Sequence, residues 1–308
     1  MKLSLLKSDF PEQDKDIFVH ELKSEIKEIV TLLGGIKKTS NQLGWKISKT
    51  KDLGIRQPIS IKDLKILVKM TDTETKNRIV RQIESKDLFI SPRKSAIKVK
   101  FPNQLNSNLS YILAIILGDG SLSGDKQNID GKWYTGVFFD NKEHRETYNQ
   151  LVQSEFKISP KTRQPKTNCY ESYINSKVFH WVLRAHFDMH NSYKANKIIT
   201  PKKVLDANNE IKKAFLQGLF DSDGTITKRK EIKYSTTSRI MANQVQQLLL
   251  DLEITSRINV WIKAQKYFPL YTVILNSNAS RNKYAKIVSS RHPIKKLLLN
   301  KFFNSPFV

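Results

Sequence analysis

Apolar and polar positions recur along this chain with two different periods, helical and strand-like, and each predicts a different element. From Asp16 to Thr31 the apolar residues Val19, Leu22, Ile26, Ile29 and Val30 fall at helical spacing. Residues 34–70 predict three more helical segments. Two short ones, around Lys38–Leu43 and Ser48–Leu53, flank Gly44-Trp45. A third follows Pro58, with Ser60 as its N-cap and Ile61, Leu64, Leu67 and Val68 on one face. The stretch "SPRKSAIKVKFPNQLNSN" (91–108) is polar and basic with two prolines, which predicts a linker over 91–107 between an N-terminal module (1–90) and the rest.

Beyond residue 107 the pattern repeats. "GVFFD" (136–140) reads as a strand leading into a helix from Lys142 to Phe156, and "IKYST" (232–236) as a strand leading into a helix from Ser238 to Leu252. "YESYINS" (170–176) and "LYTVILNS" (270–277) each read as a strand ending in Asn-Ser, where Ser caps the next helix. Each copy opens with an apolar run that stops on Asp-Gly: "LAIILGDG" from Leu113 and "LQGLFDSDG" from Leu216. Asn175 lies 175 − 119 = 56 residues after the first Asp, and Asn276 lies 276 − 223 = 53 after the second. The chain therefore reads as a small all-α N-terminal domain followed by two copies of helix–strands–helix–strands–helix, spanning 108–206 and 207–308, in an α+β fold.

The two Asp-Gly runs carry small residues four apart, Ala114 and Gly118 in one, Gly218 and Ser222 in the other. Residues at that spacing share a helix face, and small ones let two helix backbones approach closely. Gly120 and Gly224 suit the left-handed residue that closes a helix. Asp119 and Asp223 then fall on last turns, at the negative end of each helix dipole. Paired around a pseudo-twofold axis they also meet each other, which is costly unless divalent cations sit between them. An isolated Asp-Gly is ordinarily a turn or helix stop, and duplication with matched flanks sets this pair apart. A calcium loop does not fit "DSDGTI": with Gly224 sixth, the first place is Leu219 and the twelfth Lys230.

Charge changes the picture further. Among 308 residues, Lys and Arg number 53 and Asp and Glu 29, a net charge of +24. The excess is spread along the chain, so nucleic acid is the first partner to consider. No amphipathic basic helix, lipidation signal, signal peptide or long apolar span is read, which predicts an intracellular protein without a membrane partner. The single Cys169 excludes an internal disulfide and a multi-cysteine zinc site. His180, His186 and His190 lack a clear further zinc ligand and read as residues of a half-buried helix. An acidic, metal-binding pair inside a very basic protein is what phosphodiester hydrolysis requires.

"ILAIILGDG" (112–120) and "LQGLFDSDG" (216–224), with their flanks, resemble the two motifs of the single-chain LAGLIDADG homing endonucleases over roughly residues 100–308. The resemblance implies tandem αββαββα repeats with the motif helices at their interface and two antiparallel sheets forming a DNA-binding saddle. It implies magnesium, with manganese as a substitute, bound by Asp119 and Asp223 with the carbonyls of Gly118 and Ser222. It further implies a monomer that cuts both strands of a long double-stranded target and leaves 3′ overhangs. Lysines near the attacking water are nominated by "NKIITP" (Lys197), by "HPIKKLL" (Lys295 or Lys296) and, through another branch of the family, by Lys142. Base-reading candidates on the strands are Gln127, Lys132, Arg163, Gln164, Lys228, Lys230, Lys233 and Lys263, of which alternation lets about half face DNA.

Residues 34–70 look like a helix-turn-helix of the small repressor type, whose second helix would present Lys49, Thr50 and Lys51 to a major groove. Two other readings stay open: an RNA-binding maturase acting on its host intron, and a DNA-binding regulator on a nuclease scaffold. Protein splicing is not expected, because Met1 and "FNSPFV" supply neither the Cys or Ser start nor the His-Asn end of an intein.

Overall fold

The computed structural model describes residues 3–6, 17–53, 57–92, 96–123, 133–189, 195–262 and 267–303. The chain divides into two compact units, Lys2–Gln104 with Phe156–Ile158, and Leu105–Glu155 with Ser159–Val308.

The N-terminal unit runs β1 (Phe18–Val19), α1 (Lys23–Leu32), α2 (Ile36–Leu43), α3 (Ile47–Asp52), β2 (Ile59–Ser60), α4 (Ile61–Lys69), α5 (Thr73–Ser85), β3 (Phe89–Ser91) and β4 (Val99–Lys100). It is helical as expected, with Ser60 accepting the Asp63 amide at 3.0 Å to cap α4. To the helices it adds a small antiparallel sheet in the order β2-β1-β3-β4. The segment expected as a linker is part of that sheet. Ile90 pairs with Val99, and Val99, Phe101 and Leu105 are buried. Alternating apolar residues inside the basic stretch outweigh its prolines, which flank the strand rather than interrupt it. α2 and α3 meet at Gly44, whose φ of 62° closes α2 in the left-handed region.

The second unit consists of two repeats of the same order. The first is α6 (Ser107–Asp119), β5 (Gly120–Ser123), β6 (Tyr134–Phe139), α7 (Lys142–Phe156), β7 (Lys161–Lys166), β8 (Cys169–Ile174) and α8 (Lys177–Phe187). A single 3-10 turn (Ala195–Lys197) and α9 (Lys202–Leu205) lead to the second. This comprises α10 (Asn209–Asp223), β9 (Gly224–Ile226), β10 (Ile232–Thr236), α11 (Arg239–Asp251), β11 (Ser256–Trp261), β12 (Leu270–Leu275) and α12 (Asn278–Ile287), followed by α13 (Pro293–Phe303). The two sheets have matching strand orders, β5-β6-β8-β7 and β9-β10-β12-β11. This is the αββαββα duplication. Ser176 and Ser277 cap the helices after β8 and β12, accepting the amides of Phe179 and Ser280.

α6 is apolar on every side, and all nine residues from Leu109 to Leu117 are buried. A helix of that kind belongs in the middle of a core, and here it packs along α10. The small residues set the crossing. A Cβ added to Gly218 would lie 2.7 Å from the Ala114 Cβ and 2.7 Å from the Tyr111 carbonyl oxygen. One added to Gly118 would lie 2.1 Å from the Ser222 Oγ.

Gly120 and Gly224 depart from expectation. Both are extended (φ −93°, ψ 157° and φ −81°, ψ 152°), not left-handed. Each helix runs directly into a strand that folds back over the helix's own last turn. A Cβ at Gly120 would meet the Ile116 carbonyl oxygen at 2.1 Å, and one at Gly224 the Phe220 ring at 2.1 Å. Close approach, not positive φ, is why glycine stands there. Among the described residues, no helix is long and apolar enough to cross a membrane.

Candidate active site

Because α6 and α10 cross at their small residues, their last residues, Asp119 and Asp223, emerge side by side. A Cβ on Gly118 would lie only 3.2 Å from the Asp223 Oδ2. Each acid opens into its own concavity. Asp119 lines one of about 340 Å³ with Phe138, Asp140, Lys166, Ser222 and Lys295. Asp223 lines another of about 400 Å³ with Gly118, Gly120, Ile198, Ser235 and Thr237.

Both carboxyls are pushed above the ordinary range, Asp119 to about 7. Burial is the largest cause for each, and for Asp119 repulsion from the Asp223 carboxylate adds to it. Asp119 keeps an open side towards solvent, which moderates the effect. The Lys295 ammonium opposes both shifts.

Lys295 is held with some precision. Its Nζ donates to the carbonyls of Phe220 (2.9 Å), Asp221 (2.8 Å) and Ser222 (3.1 Å), so the cation caps the C-terminus of α10. Burial lowers its own pKa against the pull of four neighbouring aspartates. Of the four nominated lysines, the structure brings only Lys295 onto the acid pair. Lys296 is exposed on the next position of α13. Lys142 starts α7, exposed and 4.0 Å from Glu146. Lys197 is exposed at the rim of the Asp223 concavity, beside the wall residue Ile198.

Beneath the acids lies a polar network that sequence reasoning passed over. Asp221 is 3% exposed and accepts from the hydroxyls of Tyr111 (2.7 Å) and Ser290 and from the amides of Arg291 (2.8 Å) and His292 (3.3 Å). Tyr111 spends its proton on Asp221, so the contact at 2.8 Å is His144 Nε2–H donating to the Tyr111 oxygen. Burial and the charges of His292 and Lys295 lower His144 to about 3, which keeps it neutral. His292 donates from Nε2 to Asp140 at 2.9 Å. Burial alone would raise Asp140, but that hydrogen bond and the neighbouring positive charge hold it below its ordinary value. The only sequence signal was position: Asp140 closes "GVFFD" and His292 opens "HPIKKLL".

The donor set suits a hard divalent cation. It comprises two carboxylates that repel each other and the carbonyl of Gly118, all oxygen. The Ser222 carbonyl, also expected as a ligand, accepts from Lys295. Among the described residues, no group of three or more His, Cys, Asp or Glu could hold a metal unaided. Magnesium is ordinarily bound by one or two carboxylates that share it with water and substrate phosphates, so two acids fit it.

The nominated DNA-contacting residues divide. Arg163 and Gln164 are exposed on β7, Lys228 and Lys230 are exposed at the β9–β10 turn, and Lys233 pairs with Glu231 at 2.8 Å. Gln127, Lys132, Lys263 and His190 lie outside the described residues. In the N-terminal unit Thr50 is 3% exposed and its hydroxyl accepts from Ser40 at 2.7 Å, so it faces the α2–α3 contact and not a groove. Lys49 pairs with Asp63 at 3.1 Å and covers the Trp45 ring, which leaves Lys51 exposed. Helical periodicity had placed all three in one run, although consecutive residues point in different directions.

Residues 210–289 match the model of a LAGLIDADG-like domain. Two proteins of Methanocaldococcus jannaschii are similar to parts of the chain. One is glutamine--fructose-6-phosphate aminotransferase [isomerizing], 27% identical over 66% of this chain and 18% of that protein. The other is the replication factor C small subunit, 25% identical over 63% of this chain and 10% of that protein. The chain thus spans less than a fifth of either relative. Among solved structures, I-DmoI in complex with DNA and Ca is 17% identical, with a TM-score of 0.48 over 63% of this chain and 98% of that one. Residues 210–289, in the second repeat, thus carry a LAGLIDADG-like domain, and the first repeat has the same strand order and a matching Asp-Gly helix end.

Proposed function

We propose that the protein is a homing endonuclease that hydrolyses both strands of a long, specific double-stranded DNA site, with magnesium as its cofactor and 3′ overhangs as its products. The observation that carries this reading is the pair Asp119 and Asp223, raised in pKa, side by side on crossing helices and opening into separate concavities. Two acids with two openings suit one cut in each strand by a single chain acting as a monomer.

Asp119 and Asp223, with the Gly118 carbonyl, would hold the cation, and manganese has the same oxygen preference. When bound, the ion supplies positive charge to the phosphate and lowers the pKa of water. The chain's own residues do the rest. The C-termini of α6 and α10 turn negative potential towards the site and attract a cation. Lys295, its three N–H donors held by three carbonyls, places a second positive charge beside Asp119, where it stabilises charge developing on phosphate oxygens through space. The basic residues of the sheets' open faces and turns hold the DNA backbone and reach the major groove. In the N-terminal unit, Lys51 is the exposed residue of the three nominated on α3, and it would add a contact to the DNA backbone.

The test is cleavage of a randomised plasmid library in magnesium, followed by sequencing of the ends, which also gives the overhang polarity. Asp119→Asn and Asp223→Asn should each abolish double-strand cleavage while binding persists. Full double-strand cutting by either variant would overturn the assignment.

A further inference from the structure

The open face of the first sheet holds a side-chain cluster that the cleavage chemistry does not use. Along β6 the residues Thr135, Val137 and Phe139 are buried, whereas Phe138 is exposed, so alternation puts Phe138 on the open face. Its register partner across the strand pair is Glu171, which shares that face yet is 0% exposed. A carboxylate buried on an open face needs partners, and it has them. The Tyr134 hydroxyl donates to one of its oxygens. Arg163, its register partner on β7, donates from Nε to Oε2 and from Nη2 to Oε1 at 3.1 Å.

The cluster is built into the backbone as well. Tyr134 reaches Glu171 by lying across Gly136, where a Cβ would stand 2.1 Å from the tyrosine oxygen and 2.5 Å from Cζ. The Tyr134 ring stacks on Tyr173, with centroids 5.9 Å apart and planes 28° apart. The Arg163 guanidinium carbon lies 5.4 Å from the Tyr173 ring centre. At the corresponding step of the second repeat Asn259 stands opposite Thr272, which in turn pairs with Ser235, so neither an arginine nor a carboxylate is present there. So the arrangement belongs to the first repeat alone.

What it achieves is an arginine that is fixed and still available, since the Arg163 side chain is 59% exposed. A guanidinium carries five N–H donors in a rigid fork. Glu171 occupies the Nε–Nη2 edge. The end-on edge, Nη1 with the outer hydrogen of Nη2, has no hydrogen-bond partner among the described residues, and that edge matches O6 and N7 of guanine in the major groove. Holding the fork in advance removes the rotamer entropy that a free surface arginine would lose on binding. Phe138, across the strand from Glu171, lines the concavity of Asp119, so the cluster borders the cleavage floor.

From this geometry we infer that Arg163 reads one guanine of the DNA target, with Glu171 and Tyr134 as the residues that position it. The inference rests on the DNA-cleavage reading and adds a specificity determinant to it.

The experiment uses the full chain and the site recovered from library cleavage. Binding is measured in calcium against every single-base substitution of that site, for wild type, Arg163→Lys, Glu171→Gln and Gly136→Ala, with a melting curve for each. Wild type should prefer G at one position by about 5- to 150-fold. Arg163→Lys keeps the charge but loses the fork, and should lose that preference while preferences elsewhere persist. Glu171→Gln and Gly136→Ala should weaken it at the same position. If Arg163→Lys keeps the wild-type preference at every position, the inference is overturned and the ion pair is only a structural one. Should Glu171→Gln fail to fold, Arg163→Lys decides alone. A wild type that binds and cuts no DNA sinks the endonuclease reading itself, a result distinct from a specific cutter that ignores Arg163.

Discussion

Replacing Asp119 by Asn should make the protein more stable at neutral pH while destroying its activity. In the fold the Asp119 carboxyl is raised from 3.8 to about 7, so the native state favours the neutral acid. The sign follows from linkage. The stability carried by the neutral form is fully present below about pH 4 and is lost as pH rises through about 7. At about 1.4 kcal/mol per pH unit the ceiling is about 4 kcal/mol. The carboxyl has an open side, and screening there reduces the expected gain to about 1 kcal/mol. For a domain of this size that is a rise in melting temperature of roughly 2–4 °C. The assay is thermal melting of wild type and Asp119→Asn in a chelator from pH 4 to 8.5. The curves should coincide near pH 4, draw apart between about pH 4 and 7, and stay apart above pH 7, with the variant higher. Magnesium should then stabilise wild type by mass action, about 1.4 kcal/mol at ten times its dissociation constant, and act less on the variant. An Asp119→Asn protein no more stable than wild type at pH 8, or one stabilised equally by magnesium, would refute the reasoning.

Two further predictions follow from the same geometry. Gly218→Ala sets a methyl 2.7 Å from the Ala114 Cβ and the Tyr111 carbonyl, forcing α6 and α10 apart. It should cost about 1–3 kcal/mol in a melting experiment and slow cleavage, because the helix ends carry the aspartates; a wild-type melting curve would show that the crossing has slack. Lys295→Met removes the cation from the last turn of α10, and single-turnover cleavage should fall about a hundredfold with DNA affinity nearly unchanged. An unchanged rate would reduce Lys295 to a helix cap.

The elements were legible in the sequence because they are specified locally. The helix Lys142–Phe156, the strand Ile232–Thr236 and the serine caps at 176 and 277 depend on neighbours within a few positions, and the structure has them where the pattern put them. The duplication was legible for the same reason, since two copies of one pattern need no tertiary knowledge to be noticed. Small residues four apart even announced the helix crossing. What failed was anything that depends on distant chain. The linker reading of 91–107 missed that Val99 has a strand at Ile90 to pair with. Gly120 and Gly224 were read as left-handed stops, but their need for hydrogen at Cα comes from folding back on the preceding turn.

Sequence by itself determined that two aspartates end two matched apolar helices inside a highly basic chain, because helical period, motif spacing and net charge are properties of the string. Tertiary structure alone decided which lysine meets them. Lys295, Lys296, Lys197 and Lys142 are equivalent as letters, and only the placement of α13 sets one ammonium over the last carbonyls of α10. It also decided that Glu171 is buried and Arg163 aimed. A side chain's partners across a sheet depend on register, and register is fixed only when the strands pair.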